Sequence, residues 1–204
     1  MEKKFELTDN FIINAFGVKL FQIKCTKSFK YAKEGDLGGY VEKDENLDQE
    51  SDAWVYGDAR VYGNAWVSGD ARVSGNARVS GNAEVYGNAE VSGDARVSGN
   101  ARVSGDARVY GNAEVSGNAR VYGDAEIDNN NKHCGFDCFG SANRHTHAYL
   151  TKENKVEITC GCFRGSIEEF EKRVEETHSG TIYEKQYKAI IDVIKIKFGL
   201  TDLI

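Results

Sequence analysis

The sequence predicts a parallel β-solenoid, and three observations predict it. From Ser51 the chain reads SDAWVY GDARVY GNAWVS GDARVS and continues in hexads through Asp128. Ala recurs every sixth residue from Ala53 to Ala125, and Val from Val55 to Val121, with Ile127 closing the series. Gly stands at 22 and Pro at 0, which suits a repeat that needs one permissive backbone position per unit and excludes a collagen-like chain.

The elements follow in chain order. Residues 1–50 read as an N-terminal β hairpin with a capping coil. The hairpin strands are KFELT and VKLFQIKC, joined through Asn14-Ala15-Phe16-Gly17. Val41 and Leu47 precede Ala53 by 12 and 6 residues. They are expected in its register, as an irregular first coil covering the open apolar end.

Residues 51–128 are the solenoid. Ala and Val lie two apart, so both face one side of an extended strand, and the residue between them faces out. The Gly-[Asn/Asp] pair is turn chemistry. A period of six suits a triangular coil of about 18 residues, stacked at about 4.8 Å, giving roughly four coils. Residues 18 apart then share a column, and Arg72, Glu90, Arg108 and Glu126 alternate in sign along one. Trp54 and Trp66, on the first coil, are expected to pack against the N-terminal strands. The outward Tyr residues, Tyr122 among them, fall on different columns.

Residues 129–204 read as a small α+β unit of ββαα order, seated on the last coil. HTHAYL and KVEITC are its strands. Ser166-Ile167-Glu168-Glu169 and Thr181-Ile182-Tyr183-Glu184 are capping boxes that open two helices. The stripe of the second helix is Tyr183, Tyr187, Ile190, Ile191, Ile194 and Phe198.

The pairing of Val55 with Ala59, repeated in every later hexad, resembles the hexapeptide-repeat family. That resemblance implies a left-handed parallel β-helix. Beyond the hexads, GDLGGYVEKDENL, GSANRHT, CGCFRGSIEEFEKRVEETH and YKAIIDV resemble an uncharacterised bacteriophage and prophage family of Gram-positive bacteria. The resemblance implies a viral setting and structural, regulatory or counter-defence roles.

A net charge of −6 argues against general nucleic-acid binding. The opening MEKKFELTDNF lacks the apolar run of a signal peptide, and no stretch reaches the length of a membrane span. A cytoplasmic protein is expected. Its five Cys are then thiols or ligands.

Two constellations carry chemistry. Cys134, Cys138, Cys160 and Cys162, with His133, His145 and His147 nearby, are a candidate zinc set, weakened by spacings unlike a zinc knuckle. Without it no cofactor is expected, and the bland reading is free thiols. Arg144, Cys160, Cys162, Arg164 and His178 are the second, with Tyr122 near them at the end of the rod. The arginines suit a small anionic ligand. Cys162 with His178 as nucleophile and base is the weaker reading.

The expected function is non-catalytic binding, of a host-defence protein or a small signalling nucleotide, by a dimer or trimer. An acyltransferase is the alternative, because that activity accompanies many hexapeptide β-helices. Those enzymes resemble one another in a catalytic His and in loops extruded from the coils, and residues 51–128 contain neither. A phage structural component is the third reading.

Overall fold

A computed structural model describes residues 3–200. A hairpin of β1 (Phe5–Ile13) and β2 (Lys19–Cys25) leads to β3 (Leu37–Val41). Thirteen two-residue strands follow, one per hexad, from β4 (Trp54–Val55) to β16 (Glu126–Ile127). They stack three to a turn. Arg72 pairs with Trp54 below and Glu90 above, each 18 residues away, and the same parallel register holds throughout. The outcome is a β-solenoid of about five turns, with three parallel sheets as its walls.

The interior follows from the hexad. Every repeat Ala and Val is at most 2% exposed. Opposite charges pair where the outward columns bring them together, although Arg60, Arg78 and Arg96 stack in one column and Arg102 and Arg120 in another. Glu90 holds Arg72 on one side and Arg108, at 3.9 Å, on the other. Arg96 meets Glu114 at 2.9 Å and Arg102 meets Glu84 at 3.1 Å. One corner is a ladder of side-chain amides. Asn64 donates to Asn82, Asn82 to Asn100 and Asn100 to Asn118, at 3.0–3.2 Å. An amide both donates and accepts, so identical residues can stack where identical carboxylates would repel.

The first coil corrects the expected register. Val41 pairs with Val61, and Leu47 bridges to Val67. Both therefore continue the Val columns and not that of Ala53, because the turn between Leu47 and Val55 is two residues longer than a hexad. Asn46 heads the amide ladder from inside, donating to the Gly63 and Ala65 carbonyls at 3.1 and 2.8 Å. With this coil the rod has five turns, one more than the hexads alone supply. Trp54 is 1% exposed beneath Phe5 and Phe29, as expected, but Trp66 is 43% exposed.

The tail has two strands beyond the expected pair. β17 (His133–Phe139), β18 (Arg144–Leu150), β19 (Val156–Cys160) and β20 (Phe163–Gly165) form an antiparallel sheet in that order. Helices α1 (Ile167–His178) and α2 (Ile182–Lys197) cover one face. The Ser166 capping box forms as read. At Thr181 the hydroxyl accepts from the Glu184 amide, but the Glu184 carboxylate turns to the Gly180 amide at 2.7 Å.

Candidate functional site at the junction of tail and rod

Each coil donates backbone N–H groups to the next, so the last coil ends in groups with no coil above them. The tail sheet supplies partners from its second face. The Tyr149 hydroxyl oxygen accepts from the Tyr122 amide at 3.3 Å. The Arg120 carbonyl accepts from Thr159 and from His147 Nδ1, both at 3.2 Å. The amide of Lys152 donates to the Asp124 carbonyl at 2.9 Å, and Asn130 accepts from the Glu114 amide at 2.8 Å. A polar face is thus buried because it replaces a missing coil.

Two of the expected site residues belong to this seal. Arg164 grips Glu157 through Nε at 2.6 Å and Nη2 at 3.1 Å, and Glu157 also accepts the Tyr149 hydroxyl. The Arg164 guanidinium occupies the space that a Cβ on Gly123 would fill. Tyr122 is half-buried, and burial raises its pKa. Neither lines a cleft with Arg144. On the rod, the cleft beside Arg144 is lined by Asn118 and Arg120 in place of the expected Tyr122.

Arg144 opens β18 and is exposed. It is shared by two adjoining cavities. One, of about 360 Å³, is polar and lies between rod and tail, lined by Asn118, Arg120, Asn143, His145, Thr159 and Gly161. The other, of about 230 Å³, lies between the β19–β20 turn and the helices. It takes Cys160, Cys162 and His178 together with Phe163, Phe170 and Tyr187. Arg120 is held by the Gly161 carbonyl at 2.6 Å. No carboxylate pairs with Arg144 among the described residues. His178 stacks on Tyr187 with centroids 5.5 Å apart. Burial, and then Cys160, push the Tyr187 hydroxyl up to about 12. No hydrogen bond joins Cys162 to His178.

The four-cysteine set is not assembled. Cys134 and Cys160 face the helices, whereas Cys138 and Cys162 are exposed. The Gly161 turn separates Cys160 from Cys162, and the exposed Cys138 lies within a register shift between Phe136 and Phe139. Among the described residues no three ligating side chains are gathered about one point. The histidines lie on the opposite face of the sheet. Burial and the neighbouring His133 hold His147 well down, to about 3, and burial lowers His133 as well.

Arg120 and Asn118 were hidden in the sequence because they are ordinary members of regular columns. Only their place as the last of each column puts them beside the tail. The fold defines a β-solenoid repeat protein, with a candidate binding cleft where the repeats stop. Residues 53–69, 71–87, 89–105, 95–111 and 101–115 match the family model described as the YdcK β-solenoid repeat. No curated protein matches the chain.

Proposed function

We propose that the protein acts by binding and turns nothing over, and that Arg144 is the anchor of its recognition site. The observation that carries this is an exposed, carboxylate-free guanidinium shared by a polar and a largely apolar cavity. An anionic group fits between Arg144 and Arg120, with Asn118, Asn143 and Thr159 as further hydrogen-bonding groups. A flat apolar or aromatic body fits beside Phe163, Phe170 and His178. A small nucleotide has both parts. In the phage or prophage setting that the flanking motifs resemble, it is a host signalling nucleotide, held away from its receptor in the host cytoplasm. Antagonism of a host-defence protein through the same cleft is the second form of this reading. The rod offers flat walls, and closed symmetry is the norm among homo-oligomers, which favours a dimer or trimer.

Titration with a panel of cyclic dinucleotides and linear nucleoside diphosphates, followed by calorimetry, tests it. One ligand of that class is expected to bind, and Arg144→Ala to weaken it at least about tenfold, in line with the loss of one charge-assisted bond. The far-ultraviolet circular dichroism should not change. Turnover of acetyl-coenzyme A, lost on changing His178 or His145, overturns the proposal in favour of an acyltransferase.

A further inference from the structure

We propose that His133, His145 and His147 form a site for one divalent transition-metal ion of the zinc class, seated above Gly135. The inference is independent of the ligand proposed for the Arg144 cleft.

His145 and His147 are two apart on β18 and share its rod-facing side, while His133 reaches them from β17. Their outer contacts are those of metal-binding imidazoles. Nδ1 of His147 meets the Arg120 carbonyl at 3.2 Å, and Nδ1 of His145 meets the Asp137 carboxylate at 2.7 Å. Both partners are acceptors, so both rings carry the proton on Nδ1 and leave Nε2 with a lone pair. Nε2 of His145 is buried without a partner. Orphaned buried nitrogens of this kind are uncommon unless an ion or water completes them.

The distances suit the assignment. His133 Nδ1 and His147 Nε2 are 3.0 Å apart. Two nitrogens bound to zinc at about 2.0–2.1 Å in a tetrahedron stand roughly 3.3 Å apart. A Cβ on Gly135 would lie 2.7 Å from Cε1 and 3.0 Å from Nε2 of His145, so the glycine leaves room for that ring beside His147. The three rings are close, with centroids 5.2 Å and 5.8 Å from that of His147. They do not yet converge. Metal binding therefore requires a side-chain rotation of His145 and the tautomer of His133 with its proton on Nε2. Neutral imidazoles select zinc, copper, nickel or cobalt over magnesium and calcium.

The test uses the full chain after dialysis against a chelator. Zinc chloride is titrated by calorimetry, and cobalt(II) is added for its visible absorption. One equivalent is expected, with a rise in melting temperature and tetrahedral cobalt bands. His145→Gln should abolish binding, and Asp137→Asn should weaken it about tenfold or more. Asp137→Asn removes an exposed outer contact, so it stays informative if the histidine variant misfolds. Cys134→Ser, Cys162→Ser and Arg144→Ala should bind zinc as the parent does. No zinc binding by the parent, binding unchanged in both His145→Gln and Asp137→Asn, or binding lost with a cysteine would overturn the proposal.

Discussion

Lys4 shows what one residue does at the start of the rod. It is 6% exposed, and its ammonium donates to the Ser51 and Ala53 carbonyls at 2.6 and 2.9 Å. It therefore caps acceptors at the first coil as the tail caps them at the last. Burial lowers its pKa to about 8 from 10.5. Between those values the unfolded chain holds a proton that the folded chain has released. Folding is then favoured by rising pH, and the contribution is constant below about 8. The melting temperature of the parent relative to Lys4→Met should accordingly climb from pH 8 to pH 9.5, a window below the ordinary tyrosine pKa of about 10. A difference that is flat across this range would show that Lys4 does not titrate there.

At the scale of the element, each hexad corner packs closely against the corner of the next coil. Gly81 has φ +70°, and a Cβ there would stand 3.0 Å from the backbone nitrogen and oxygen of Gly99 in the next coil. Gly117 has φ +67° but nothing within 4 Å, because no coil follows it. Gly117→Ala is expected to cost only the left-handed backbone term, about 1–2 kcal/mol. Gly81→Ala adds a clash against backbone fixed on both sides, so its loss should be clearly larger in chemical denaturation. Equal losses would mean that the coils can part at no cost.

The same contrast explains what the sequence disclosed. Hexads are legible because a buried Ala and Val recur at fixed spacing and turn glycines mark every corner. The tail sheet was half legible. Its helix-facing residues, such as Ala148 and Ile158, are apolar, but its rod-facing ones are His147, Tyr149, Thr159 and Glu157. Polar side chains that replace backbone partners look like a solvated face. β17 carries few large apolar residues and a register shift, so it lacks the alternation that reveals a strand. For the site, the expected residues Arg144, Cys160, Cys162 and His178 line one cavity. Arg164 was not separable from Arg144 by residue type, since only the structure shows Glu157 beside it.

On the scale of the whole molecule, the period decides how the two ends face each other. The N-terminal hairpin extends one sheet through β3, and the tail seals the strand edge at Arg120 and Tyr122. Both attachments sit at fixed angles about the rod axis. Removing residues 83–100 deletes one coil, keeps each column in phase, and should leave a folded protein with its tail seated, as far-ultraviolet circular dichroism and protease resistance would report. Removing residues 83–88 alone takes out a third of a turn. It separates Asn82 from Asn100 and Arg72 from Glu90. That variant should melt well below the other although it loses fewer residues. The rod consequently behaves as a screw thread with two independent settings. Whole turns change the distance between its ends in steps of about 4.8 Å, while single hexads rotate one end against the other by about 120° in a three-sided coil. Chains of different length built on this unit would hold a hairpin and a cleft at graded separations yet in the same orientation only when their repeats come in threes.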